Sequence, residues 1–154
     1  MDLQPGDKAP VFKLATDGSG EISLSGLKGH PFVLYFYPKD NTSGCTKEAL
    51  AFTKLFKKFS DLGIALIGVS KDSVASHDKF KANYKLSLTL ASDPDTKTAQ
   101  AYGVWGEKSM YGRKYMVMER ATFLVDAKGK IHQIWRRVKV PGHAEAVLAA
   151  ARSL

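Results

Sequence analysis

The chain has 154 residues, 44% hydrophobic and 25% charged, with a net charge of +8 and one cysteine. That length suits one domain, residues 1–154, able to bury a core without cross-links. A single cysteine excludes an intrachain disulfide and a cysteine-rich zinc site, and no apolar run reaches the ~20 residues of a membrane span.

The opening M-D-L-Q-P-G-D lacks the basic-then-apolar order of a secretory leader, so a cytoplasmic location with no membrane partner is expected. The positive balance is compatible with a polyanionic partner. Its clusters are short, however: Lys54, Lys57 and Lys58 in a helical stretch, Arg136, Arg137 and Lys139 on an alternating one. No zinc-finger, RNP or helix-turn-helix signature accompanies them, and no specific nucleic acid is expected as a partner.

Taken in order, 4–10 (Q-P-G-D-K-A-P) read as loop. Phe12 and Leu14, a T-D-G-S-G turn and residues 22–24 then form a small hairpin. Residues 31–37 (P-F-V-L-Y-F-Y) are a continuous apolar and aromatic run, the mark of a strand buried on both faces. Over 46–59 the period changes: Ala49, Phe52, Phe56 and Phe59 recur at helical spacing. A second buried strand is expected at 64–69, a helix at 73–84 carrying Val74, His77 and Phe80 along its length, and a strand at 88–91. A short helix at 96–102, strands at 122–125 and 131–138, and a helix at 143–152 complete the chain. Strands alternating with helices and ending in a hairpin and a helix give an α/β fold. The order is that of a thioredoxin-like fold: a mixed central sheet flanked by helices on both faces, with an N-terminal β-hairpin.

The segment joining the first long strand to the first long helix, Y-P-K-D-N-T-S-G-C-T-K-E-A (37–49), sets Cys45 in the opening turn of that helix. Unpaired N–H groups and the positive end of the helix dipole favour an anion there, so the thiolate is favoured over the thiol. Thr42 is placed to cap the helix or to bond the sulfur, Gly44 permits close approach of backbone, and Pro38 closes a wall without offering an amide. The same letters also suit an ordinary helix start with Cys45 as filler.

The run P-K-D-N-T-S-G-C matches the active-site pattern P-x-x-x-T-x-x-C of the peroxiredoxins. With Y-F-Y before it and T-K-E after it, and with I-G-V-S-K-D-S-V, K-S-M-Y-G-R-K and E-R-A-T-F-L-V following in order, the chain resembles the PrxQ (bacterioferritin comigratory protein) subfamily from about Gly6 to the last helix. The resemblance implies that Cys45 is the peroxide-reducing nucleophile, with Pro38 and Thr42 as its motif partners. It implies that Arg120, in E-R-A-T-F, is the active-site arginine and that Glu48 orients it. It implies no cofactor and no metal.

The implied reaction is attack of the thiolate on hydrogen peroxide or an organic hydroperoxide, giving a Cys45 sulfenic acid, with Arg120, the Thr42 hydroxyl and the Cys45 amide as donors to the leaving oxygen. Members of the subfamily often carry a second, resolving cysteine, but those positions here hold Leu50 and Lys81. The chain therefore resembles a one-cysteine form, whose partner is an external thiol: thioredoxin, glutaredoxin or glutathione. A monomer or weak homodimer is expected.

Two other chemistries stay open on the residues alone. Thioredoxin-type disulfide exchange uses C-x-x-C, and the partner position holds Glu48. A cysteine hydrolase would need a histidine beside Cys45. His30, His77, His132 and His143 lack metal-ligand spacing such as H-E-x-x-H and are read as surface or capping residues. Tyr102, Trp105 and Tyr111 are read as packing, with Trp105 and Met110 able to border the mouth of the site.

Overall fold

The structure is a computed structural model describing residues 2–154. Its centre is β3 (Phe32–Phe36), five consecutive buried residues. Alternation of the pleat sends Val33 and Tyr35 into one apolar layer and Phe32, Leu34 and Phe36 into the other. β3 pairs in parallel with β4 (Ala65–Ser70) and antiparallel with β8 (Ala121–Val125). Beyond β4 lie β5 (Thr89–Ser92) and the hairpin β1 (Lys13–Thr16) and β2 (Gly20–Ser23); beyond β8 lies β9 (Ile131–Trp135). The result is a mixed seven-stranded sheet of order β2-β1-β5-β4-β3-β8-β9.

Helices cover both faces, as the sequence implied. One layer is filled by α1 (Ser43–Lys54), α2 (Phe56–Asp61), α3 (Val74–Tyr84) and α5 (His143–Ala151), through Ala49, Phe52, Phe59, Phe80, Val147 and Leu148. The other takes Ala99 from α4 (Lys97–Ala101), the following Tyr102 and Val104, and Ala9 and Phe12 from the N-terminal segment.

Three expectations need correction. The single helix expected over 46–59 begins earlier, at Ser43, and breaks at Leu55, where φ −98° and ψ 2° turn the chain between α1 and α2. The apolar period continues across the break because Phe52, Leu55 and Phe59 all stay in the core. A two-stranded arm, β6 (Trp105–Met110) and β7 (Arg113–Met118), fills a stretch with no predicted element. Most of its residues are exposed, so no one-sided alternation marked it. Its turn places Tyr111 and Gly112 at φ +52° and +75°, and Tyr111, expected to pack, is 98% exposed. The strand expected over 131–138 stops at Trp135, and Arg137 then adopts φ +50°.

The site rests on a stack inside the helical layer. The Tyr35 ring lies on Phe52 of α1 with centroids 4.8 Å apart, and Gly68 on the neighbouring strand makes room for it. A Cβ at Gly68 would sit 2.8 Å from Tyr35 Cζ and 2.9 Å from its Oη. Gly68→Ala therefore displaces a fully buried ring, and we expect a loss of about 1–3 kcal/mol, read from urea unfolding midpoints. An unchanged midpoint would mean that the ring is not held against this glycine.

Candidate active site

After β3, Tyr37 still donates its N–H to Val69 O (3.0 Å), and the chain then leaves the sheet through residues 38–42. Thr42 is the N-cap of α1, with extended φ −89° and ψ 157°. Its carbonyl accepts the Thr46 N–H at 2.9 Å, closing the first turn. Its hydroxyl instead donates to the Lys39 carbonyl (2.8 Å) and makes no side-chain cap, contrary to one expectation. Cys45 is the third residue of α1, a free thiol only 2% exposed.

Register delivers the counter-charge. The β3–β8 ladder pairs Phe36 with Ala121, so Arg120, just before β8, lies where the loop leaves β3. One arm of its guanidinium, Nη2, donates to Cys45 Sγ at 3.4 Å. The other, Nη1, donates to Glu48 Oε1 at 2.7 Å in an ion pair whose side chains are 17% and 1% exposed. Cys45 and Glu48 are three residues apart and so share a face of α1. Gly44 completes the fit: a Cβ there would come within 3.1 Å of Nη2.

Burial pushes the Glu48 carboxyl up to about 7, an effect that Arg120 only partly offsets. Its second oxygen, Oε2, is buried with no hydrogen-bond partner, as is the Tyr35 hydroxyl. Burial works to lower the Arg120 value, yet Glu48 and then Cys45 outweigh it and hold that value raised. His143, at the start of α5, bonds Thr122 Oγ1 at 2.8 Å and is pushed down to about 4, first by burial and then by Arg120.

Pro38 and Arg120 open onto a cavity of about 620 Å³ walled by Trp105, Val117 and Val138 and rimmed by Arg136 and Arg137. Trp105 thus borders the mouth as expected, while Met110 lies farther out on the arm, 53% exposed. Two histidines depart from the surface reading. His143 is buried, and His77 is wholly buried between Asp40 (2.7 Å) and the Ala91 carbonyl (2.9 Å). Neither is the hydrogen-bond partner of Sγ; that partner is Arg120. Asp40, 5% exposed, was not among the residues singled out from the sequence. A histidine occupying an apolar-spaced position of α3 was the available signal.

A thioredoxin-like sheet that presents a buried cysteine in the first turn of α1, hydrogen-bonded to a half-buried arginine, defines a thiol-based oxidoreductase. The profile of the AhpC/TSA family matches residues 5–134, and the chain belongs to that family. It is 47% identical over 148 residues, 96% of this chain and 98% of the relative, to a putative peroxiredoxin Bcp of Coxiella burnetii. It is 42% identical to peroxiredoxin Bcp of Bacillus subtilis over 100% of this chain and 98% of that one. Among solved structures it resembles peroxiredoxin Q of Xanthomonas campestris (TM-score 0.89, 45% identity, 92% and 90% of the two chains). It also resembles a PrxQ variant of Xylella fastidiosa (TM-score 0.93, 39% identity, 99% and 98%). The chain is a peroxiredoxin of the Bcp/PrxQ kind, a thiol-dependent peroxidase.

Glu48 and His143 titrate in opposition. The raised Glu48 value makes its contribution to stability complete below its ordinary 4.5 and lost as pH rises through about 7. The lowered His143 value makes its contribution complete above its ordinary 6.5 and lost as pH falls through about 4. In Glu48→Gln only the second effect remains. Between about pH 7.5 and about pH 5 the variant should lose about 2 kcal/mol relative to wild type, measured by urea unfolding at both pH values. A difference between variant and wild type that is the same at both would return Glu48 to an ordinary carboxylate.

Proposed function

We propose that Cys45 reduces hydrogen peroxide and organic hydroperoxides, with Arg120, Thr42, Pro38 and Glu48 completing the site. The observation that carries this reading is the Arg120 fork, one arm on Sγ at 3.4 Å and the other on Glu48 at 2.7 Å. The guanidinium donates to the sulfur and fixes a donor where peroxide oxygens must lie during attack. Glu48 orients the guanidinium. The first intrahelical bond of α1 runs from Thr46 N to Thr42 O, so the Cys45 N–H precedes the ladder and is a second donor. Thr42 differs from the role the sequence suggested. Its proton is committed to Lys39 O, so its lone pairs face outward to accept the O–H of the peroxide. Pro38 walls the cavity without adding an amide that would compete for the thiolate.

In the reaction the sulfur electron pair forms an S–O bond to the terminal peroxide oxygen and the O–O bond breaks. Its electrons leave on the distal oxygen, which takes a proton to become water or an alcohol. The sulfur, oxidised by two electrons, is left as the sulfenic acid. Among the solved relatives, the bacterioferritin comigratory protein of X. campestris has alkyl peroxide reduction activity, which agrees with an organic substrate.

The reductant is external: glutathione, glutaredoxin or thioredoxin. Cys45 is the only cysteine of the chain, and the positions of a second one are otherwise engaged. Leu50 is 40% exposed on α1, and Lys81 bonds Asp17 at 2.7 Å. A lone thiol that is reset by other thiols suits the reducing cytoplasm. A monomer or weak homodimer is the proposed working form.

Cys45→Ser should abolish peroxide consumption. Arg120→Ala should slow Cys45 oxidation by on the order of a hundredfold, as for loss of one oxyanion donor, in stopped-flow Trp fluorescence. A wild-type rate in the arginine variant would remove Arg120 from the chemistry. Intact-mass spectrometry after one equivalent of peroxide should show one added oxygen, replaced by a glutathione adduct when glutathione is supplied. An oxygen adduct that survives glutathione, glutaredoxin and thioredoxin alike would rule out turnover by these thiols.

A further inference from the structure

The reaction uses no side chain of the polar cluster buried on the far side of the loop. That cluster is built around Asp40, two residues after Pro38 and five before Cys45. One carboxylate oxygen, Oδ1, accepts from the Tyr37 hydroxyl at 2.6 Å. The other, Oδ2, accepts from Ser76 Oγ at 2.9 Å and meets His77 Nδ1 at 2.7 Å. Its N–H donates to Asp72 Oδ2 at 2.8 Å, and Asp72 is itself held by the Ser70 hydroxyl at 2.6 Å. The neighbouring Asn41 accepts from the Tyr84 hydroxyl at 3.1 Å and sits at φ +63°, a left-handed conformation that asparagine adopts as a single residue. The ties from residues 38–42 to α3 and to the end of β4 therefore converge on Asp40, with Asn41 adding one.

His77 passes the anchor on. The Ala91 carbonyl can only accept, so Nε2 carries a proton and donates to it at 2.9 Å. The Nδ1 contact with Asp40 then requires one proton shared between the two groups. Loop, α3 and β5 are joined through one fully buried ring. Buried polar pairs of this kind add little net stability compared with apolar residues of the same volume, whereas they fix geometry sharply. The geometry at stake is demanding. The Nη2 to Sγ contact is 3.4 Å, and a shift of the α1 start by about 1 Å can cost on the order of a hundredfold in rate.

We propose that Asp40 and His77 are positioning residues that latch the loop and the first turn of α1 in register with Arg120, so that the speed of Cys45 oxidation depends on a contact made outside the reaction centre. The inference rests on Cys45 being the peroxide-reactive thiol. One of its readouts, hydrogen exchange of residues 38–42, is independent of that reading.

Two substitutions split the histidine. In His77→Asn the amide stands where Nδ1 does and keeps the bond to Asp40, giving up Ala91. In His77→Gln the amide stands where Nε2 does and keeps Ala91, giving up Asp40. The latch predicts that His77→Gln slows oxidation by hydrogen peroxide about tenfold or more, slows Cys45 alkylation at neutral pH and speeds hydrogen exchange in residues 38–42. It predicts that His77→Asn stays within about threefold of wild type on all three measures, a rescue by the variant that keeps the loop contact. The reverse order, with the Asn variant slow and the Gln variant fast, would make His77 a staple of α3 to β5 and overturn the latch. So would wild-type oxidation and exchange in both. If neither variant folds, Ser76→Ala decides. This half-buried side chain can be removed with His77 intact, and oxidation should slow several-fold with the unfolding midpoint unchanged. A wild-type oxidation rate there would overturn the proposal. If wild-type Cys45 is itself inert to peroxide, the exchange arm still decides the latch while the peroxidase reading falls.

Discussion

One guanidinium answers two acidic groups inside the helical layer, and much of the local architecture serves that contact. Arg120 gains its hydrogen bonds to Glu48 and Cys45 at the cost of desolvation, and a pair this deep is strongly destabilised when one partner is removed. Glu48 is half satisfied, one oxygen on Arg120 and the other bare. Burial raises its carboxyl to about 7, out of the ordinary acid range, and the single bond from Arg120 offsets only part of that rise. The share of the arginine's charge left for the sulfur therefore varies with pH across the neutral range.

The scaffold fixes the two ends of this contact from opposite sides of β3. The β8 ladder sets Arg120, and the turn after β3 sets the cysteine, so both ends are referenced to one fully buried strand. Two glycines supply clearance where a methyl group would intrude: Gly44 for the guanidinium and Gly68 for the Tyr35 ring that supports α1. Thr42, often the kind of residue that caps a helix, instead turns its hydroxyl back into the loop, donating to the Lys39 carbonyl.

Much of this was legible in the sequence. The aromatic run of 31–37 could only be a strand buried on both faces, and the cysteine after it could only fall at a helix start. Arg120 and Glu48 came from family motifs, not from periodicity: a charged residue before a strand looks like surface until a partner is known. The arm at 105–118 escaped because exposed residues on both of its faces erase the period-two signal on which strand recognition depends. The break at Leu55 escaped because the core face continues through it. Asp40 and His77 escaped because burial of a carboxylate and an imidazole is a property of the pair. Either letter alone is ordinarily at the surface.

The cysteine count has a practical consequence. With one thiol in the chain, and that thiol 2% exposed, a bulky reagent reaches it only when the structure opens locally. Every label it leaves marks the same atom. Timed modification by such a reagent is then a stopwatch for pocket opening, calibrated at one site and read without mapping. Trp105 on the cavity wall and Trp135, 5.8 Å from His143, are the two intrinsic fluorophores of this kind in the chain.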